Sequence, residues 1–206
     1  MKKIINAPEN VVNEMLAGLV AANPDTLDII PEKRIILRKE RKAAGKVAVV
    51  TGSGSGHEPD QVFYVGKGMM DAACAGPVFA APTADAIYEA AKAVDTGAGV
   101  LFMVKNYTGD RGQFGMACEM CEMDDINAKI VIADDDVAVK DSTFTAGRRG
   151  VAGAILGYKI VCAAAEEGKS LDELVELADR VNANVRSMGF GLTSCTTPAK
   201  GAPTFE

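Results

Sequence analysis

Basic residues are outnumbered in this chain: 22 Lys and Arg stand against 28 Asp and Glu, a formal net charge of −6. That balance leaves no sequence-wide positive field to neutralise phosphodiester backbones, so nucleic acid is excluded as the expected partner. Long apolar runs are missing too, and none approaches the roughly 20 residues that a membrane span requires. The opening residues, Met1-Lys2-Lys3-Ile4-Ile5-Asn6, lack the apolar stretch and small-residue cleavage site of a secretory signal. The expected setting is therefore cytoplasmic. Cysteine is sparse and odd in number, at Cys74, Cys118, Cys121, Cys162 and Cys195. This suits free thiols in a reducing compartment, mostly in the core, better than a disulfide framework. Internal repeats and low-complexity segments are also absent.

What remains is an ordinary globular composition, 48% hydrophobic and 24% charged over 206 residues, enough for one sizeable domain with a real core. Val11, Val12, Met15, Leu16, Leu19 and Val20 recur at helical spacing and stop at Asn23-Pro24, which predicts a helix over 9–22. The β-branched run Lys46 to Thr51 then predicts a buried strand feeding a glycine-rich loop, Gly52-Ser53-Gly54-Ser55-Gly56-His57-Glu58-Pro59. Alternation continues with strands at 78–81, 99–105 and 129–133 and helices at 83–94 and 113–123. Strand and helix in turn imply an α/β fold, a largely parallel or mixed sheet flanked by helices. Beyond the acidic run Asp134-Asp135-Asp136, a helix is predicted over 151–166 with Gly168 as its left-handed stop, then a second opened by the capping box Ser170 and Glu173. The pair reads as a helical hairpin, and 188–196 as one further strand.

The glycine-rich stretch fails the familiar tests. His57 stands where the dinucleotide fingerprint needs its last glycine, and neither Ser53 nor Ser55 has glycine two residues to either side, as a nucleophile elbow requires. Gly168-Lys169-Ser170 has Ala163 where a phosphate-binding loop needs its first glycine. Three glycines still allow close backbone approach to a small ligand, with N–H groups forming a nest for its oxygens, though a plain tight turn fits the spacing as well. At the end of the 99–105 strand, Lys105-Asn106-Tyr107-Thr108-Gly109-Asp110 occupies a comparable place. In open parallel sheets, ligands bind at the carboxyl ends of the strands. His57, Lys105 and Asp110 would supply there a base, a cation for a carbonyl or phosphate oxygen, and a carboxylate able to take a hydroxyl proton. The alternatives are a satisfied histidine, a solvated lysine and a helix-capping aspartate. Cys118-x-x-Cys121 is a single pair with no histidine near, which argues against zinc. Three acids at 134–136 suit a solvated turn more than a metal site, and Arg148 and Arg149 suit solvent.

The glycine-rich segment 52–59, then Lys105 to Asp110, then Asp135-Asp136-Val137-Ala138-Val139 and Thr145-Ala146-Gly147-Arg148-Arg149-Gly150-Val151, together closely resemble the dihydroxyacetone (glycerone) kinase family, at its substrate-binding K subunit. The match runs in order from Lys2 to about Phe205, so residues 1–206 are expected to form the K-type N-terminal domain, cut before the family's second part. The resemblance implies that Gly54, Ser55, Gly56 and His57 surround dihydroxyacetone and that Lys105 contacts it. Asp110 would assist deprotonation of the hydroxyl that is phosphorylated, and His57 would be a second acid/base or hydrogen-bonding group. It implies no cofactor or metal on this chain. ADP or ATP with magnesium is expected on a separate L subunit, recharged in some systems by a phosphocarrier M subunit, and the K chain is expected to be a homodimer.

One departure accompanies the match. Family K subunits carry, in their second part, a histidine in a Gly-x-His-Gly-Glu context that binds the substrate carbonyl covalently, and the only histidine here is His57. A K-like paralogue that senses dihydroxyacetone without turning it over is the main alternative; a nucleotide-binding α/β enzyme has only fold analogy behind it. A small ketone held without a covalent bond has limited binding energy, so this chain is expected to bind dihydroxyacetone weakly and to discriminate poorly against glycerol. A titration showing tight binding with glycerol excluded would contradict that.

Overall fold

The computed structural model describes residues 3–139 and 147–203. A 3-10 turn at Pro8–Asn10 leads into α1 (Val11–Ala22), which ends where Asn23 turns its side-chain amide onto Leu19 O at 2.9 Å. Next come two short strands that periodicity does not reveal, β1 (Leu27–Ile30) and β2 (Ile35–Arg38). Each is four residues long, too short for alternation to stand out, and β2 is buried along its whole length. β3 (Ala48–Ser55), β4 (Ala72–Val78), α2 (Ala84–Val94), β5 (Val100–Lys105), α3 (Thr108–Met123), β6 (Ala128–Ala133), α4 (Gly153–Glu166) and α5 (Leu171–Asn184) complete the chain.

The six strands lie in the order β1-β2-β4-β3-β5-β6. β4, β3, β5 and β6 are parallel to one another, while β2 and β1 close one edge antiparallel. The sheet is thus mixed, with a parallel core. Consecutive residues of the central strands face opposite layers. Val49, Leu101 and Met103 pack with α1, α4 and α5 on one side; Val50, Phe102 and Val104 pack with α2 and α3 on the other. Phe102 meets Phe114 of α3 edge-on at 5.4 Å. The helices after β6 form the expected hairpin, with Gly168 at φ +93° and a complete Ser170/Glu173 capping box.

Several boundaries differ from the sequence expectation. β3 continues through Gly52 and Gly54 rather than stopping at Thr51, because those glycines let neighbouring backbone press close. A Cβ at Gly52 would lie 2.7 Å from Cys74 O, and one at Gly54 would lie 2.5 Å from Ala80 N. The predicted strand at 78–81 is instead the turn after β4, whose small residues Ala72 to Gly76 lack the β-branched signature yet suit a strand squeezed between β2 and β3. α3 starts at Thr108, five residues before 113. Residues 188–196 form no strand; only Ser187 makes a bridge, to Asp136. Cys74, Cys121 and Cys162 are buried, Cys118 is half-buried and Cys195 exposed, all as free thiols. No helix among the described residues is long and apolar enough to cross a membrane.

Away from the carboxyl ends of the parallel strands, one buried carboxylate gathers three donors. Asp71 accepts from Arg38 Nη1 at 3.1 Å, Lys42 Nζ at 2.8 Å and the Val49 N–H at 2.7 Å, and Arg38 also reaches Glu166 of α4 at 2.7 Å. Asp71, Arg38 and Lys42 are all buried. Removing one partner of such a set leaves uncompensated charge. Asp71→Ala is therefore expected to cost about 3–5 kcal/mol of stability in urea denaturation; a loss near that of a surface substitution would show that solvent or rearrangement compensates the two cations.

Candidate active site

The chemistry-bearing side chains gather where β3, β4 and β5 end. β3 delivers Ser53 and Ser55; the following turn carries His57, Asp60 and Gln61; β5 ends on Lys105; and α3 begins three residues later, placing Asp110 in its first turn. Asp110 is 3% exposed and accepts a hydrogen bond from Ser53 Oγ at 2.8 Å. Burial pushes its carboxyl above the ordinary carboxylate range. The charge of Asp60 adds to this, and the Ser53 hydroxyl, Lys105 and His57 partly offset it. β3 and β5 are adjacent and parallel, so the three sequence candidates, His57, Lys105 and Asp110, lie at the same end of the sheet.

Lys105 is buried and bonded to Asp60 Oδ2 at 2.6 Å, so it is not a solvated strand end. His57 Nδ1 lies 2.7 Å from Gly54 O. A carbonyl oxygen only accepts, so Nδ1 is the donor in this bond and Nε2 is the ring nitrogen left for a ligand. Phe79, at φ +57°, stacks edge-on to the imidazole at 5.4 Å and steadies it. Beneath the site, Tyr158 of α4 donates to Thr51 Oγ1 at 3.4 Å, and Thr51 in turn donates to Met103 O at 2.7 Å. Burial pushes the Tyr158 phenol well up, so it stays protonated.

The glycines act differently from a nest of free N–H groups. Gly54 lies within β3, paired in register with Gly76, and the Gly56 N–H is taken by the Glu58 carboxylate at 2.9 Å. Gly56, at φ +104°, supports the turn that carries His57. The Ser55 hydroxyl donates to Gly76 O at 2.7 Å, tying β3 to β4. Asp110 is no exposed cap either: its oxygen serves Ser53 across the sheet.

The acidic run is not a solvated turn. Asp135 accepts from the Val151 N–H at 3.0 Å and the Gly153 N–H at 2.8 Å, so it caps α4 from outside the helix; Asp136 is fully buried and takes Arg149 Nε and Nη2 at 2.9 and 2.7 Å. Arg148 pairs with Asp134 at 3.3 Å. Both arginines therefore organise the loop rather than face solvent unpaired. Thr145 and Ala146 of the fourth motif lie outside the described residues, which hold no group of three or more His, Cys, Asp or Glu placed for a metal ion. Sequence reasoning missed Ser53, Asp60, Gln61 and Tyr158. Ser53 and Asp60 lie in or beside the motif that was singled out, whereas Tyr158 is an ordinary residue of an apolar helix.

Comparison with known proteins places this arrangement. The family model described as the Dak1 domain matches residues 17–206. The chain is 51% identical over 206 residues to the dihydroxyacetone-binding subunit DhaK of the PTS-dependent dihydroxyacetone kinase 1 of Listeria innocua, covering all of this chain and 62% of that protein. The native crystal structure of the dihydroxyacetone kinase of C. freundii superposes with a TM-score of 0.90 at 37% identity, over 100% of this chain and 38% of that one. A Lactococcus lactis protein solved in connection with regulation of its dha operon gives 0.78 at 36% identity, over 86% and 56%. The chain spans about 60% of the length of the curated DhaK relatives it matches.

The raised Asp110 carboxyl has a stability consequence with a definite sign. A carboxyl whose folded-state pKa is raised contributes stability that is full below its unfolded value and is lost as pH rises through the folded one. Asp110→Asn removes that loss, so the variant is expected to melt higher than the unmodified protein near neutral pH and to lose the advantage below about pH 4. Thermal melts at the two pH values check this; an advantage that persists in acid would exclude ionisation as its source.

Proposed function

Because the chain belongs to the Dak1 domain family, we propose that it is the dihydroxyacetone-binding part of a dihydroxyacetone kinase, converting dihydroxyacetone to its phosphate with a donor held on a separate subunit. The observation that carries this reading is Asp110: a buried carboxyl with a raised pKa, oriented by Ser53, among Lys105 and His57. A base of this kind is suited to an alcohol. It takes the hydroxyl proton as the substrate oxygen bonds to phosphorus, and the electron pair of the breaking P–O bond leaves with the donor. Lys105 donates to the carbonyl oxygen, and His57 Nε2 accepts from or returns a proton to a substrate hydroxyl. Gly54, Ser55 and Gly56 shape the wall.

The phosphoryl group comes from ATP, held with magnesium on an L-type subunit and left there as ADP. The PTS-dependent relative supports recharging by a phosphocarrier M subunit. The reading also makes the protein a cytoplasmic homodimer. A second reading, a K-like module that senses dihydroxyacetone, is favoured by the likeness to the Lactococcus protein studied for operon regulation. It predicts ligand binding with no turnover.

The test is reconstitution of turnover with an L-type subunit. Asp110→Ala is expected to lower it roughly 10²- to 10⁴-fold while leaving the fold intact. Turnover that survives the substitution would remove Asp110 from the role of base; binding without any turnover in the unmodified protein would favour the sensor.

A further inference from the structure

Strand β3 carries three buried hydroxyls, at Thr51, Ser53 and Ser55, and each of them donates a hydrogen bond. Thr51 donates to Met103 O and Ser55 to Gly76 O, both at 2.7 Å, so these two tie β3 to the backbone of its neighbours β5 and β4. Ser53 differs from both. The paired register of β3 with β5 runs as far as Thr51 opposite Met103, and Ser53, two residues on, meets the first turn of α3 instead. Its Oγ donates to Asp110 Oδ2 at 2.8 Å, which makes it the one hydroxyl of the strand bonded to a carboxyl.

That bond makes the two oxygens of Asp110 unequal. Oδ2 is held by Ser53, whereas Oδ1 accepts no hydrogen bond among the described residues. Oδ1 is not one of the buried side-chain atoms left without a partner, which are Arg38 Nε, Asp60 Oδ1 and Gln61 Nε2. It is therefore an oxygen that keeps accessible surface, in a residue only 3% exposed. Holding Oδ2 also fixes the rotation about Cβ–Cγ, which is otherwise broad for an aspartate carboxyl. The ionisable groups that act on this carboxyl are His57 and Asp60 from the turn after β3, Lys105 from β5, Tyr107 at the start of α3 and Tyr158 from α4. Lys105 and Asp60 oppose each other in one ion pair, and burial raises both phenols, so they stay protonated near neutral pH. Ser53 is the one group among the described residues that donates a hydrogen bond to the Asp110 carboxylate, and such a donor favours the ionised form.

We propose that Ser53 is a positioning residue for the proton transfer, holding Oδ2 of Asp110 so that Oδ1 is the oxygen that takes the proton from the substrate hydroxyl. This rests on reading Asp110 as the base of a dihydroxyacetone kinase. In the step, the hydroxyl O–H bond breaks and an Oδ1–H bond forms, while the substrate oxygen keeps the electron pair with which it bonds to phosphorus. The Ser53 bond works against the basicity that burial confers, so its contribution to rate is geometric: it keeps one oxygen aimed and the other occupied.

The experiment compares the unmodified chain with Ser53→Ala and Ser53→Thr in two measurements: a carbon-13 NMR titration of the Asp110 carboxyl in the chain alone, and the pH profile of turnover with an L-type subunit. In Ser53→Ala the ionised carboxyl loses its donor, so the titration midpoint and the acid limb of the profile should both move to higher pH, by about one pH unit. At a pH above both midpoints kcat should still be about tenfold lower, with KM within about twofold, because the ionised base is present but no longer aimed. Ser53→Thr keeps the hydroxyl and should restore the midpoint and bring kcat to within about threefold of the unmodified chain. Ser53→Cys fills the space with a weak donor and should behave as Ser53→Ala; it carries the test if the Ala variant misfolds. A serine that only packs β3 would lower thermal stability and leave the midpoint and the limb where they are, and that result overturns the proposal. So does a midpoint that moves while kcat at high pH is unchanged, in which case Asp110 stands as the base without help from Ser53. Absence of turnover in the unmodified chain overturns the reading of the site itself, and the proposal with it.

Discussion

The ion pair between Lys105 and Asp60 joins the two pieces of chain from which the site is made. Lys105 is the last residue of a strand buried along its whole length, and an ammonium at that depth requires a counter-charge. Asp60 supplies it from the turn after β3, so the pair holds that turn down over the strand ends. The same turn carries His57, fixed by its own bond to Gly54 O, and the residues after Lys105 run directly into α3 with Asp110 in its first turn. Two short connections and one charge pair therefore bring a buried carboxyl, an imidazole and a cation to one end of the sheet. Loss of either partner would leave the other buried and unpaired, which is why this corner cannot be dismantled piecemeal.

The sheet makes the convergence possible. β3 and β5 are adjacent and parallel, so both release their chains at the same end. β4, parallel to β3 on its other side, ends there too and turns back through Phe79 and Ala80 against Gly54, a contact that any side chain at Gly54 would block. The antiparallel pair β1 and β2 contributes nothing to the site; it covers the far edge of β4. Stability and chemistry are also separated along the strands, with the Asp71 cluster bracing β2, β3 and α4 and the ionisable site residues at the carboxyl ends.

Much of this was readable in the residues, and the failures have physical reasons. Parallel strands leave strong signals because they are buried on both faces, and Val47 to Val50 and Val100 to Val104 carry them. Strand β4 carries none, since Ala72 to Gly76 were selected for smallness. Lys105 and Asp110 were found by their place at a strand end. Asp60 was passed over because its role depends on a partner 45 residues away, which no local pattern records. The acids at 134–136 were misread for the same reason: their donors, Arg148, Arg149 and the start of α4, arrive from the far side of a loop.

The charge balance of the site bears on the direction of the proposed reaction. Asp60 cancels Lys105, so the inner site carries the charge of Asp110, with Glu58 on the rim. A neutral hydroxyketone enters such a place without electrostatic penalty. A phosphate ester does not: two like unit charges about 4 Å apart repel by about 4 kcal/mol at an effective dielectric of about 20. In the proposed reaction, the proton taken up by Asp110 removes that repulsion for as long as the carboxyl holds it. In the same proposed reaction, loss of the proton sets the carboxylate against the anionic product, which favours release. Burial that raises the Asp110 pKa makes the carboxyl a stronger base, which is the property the proposed role requires.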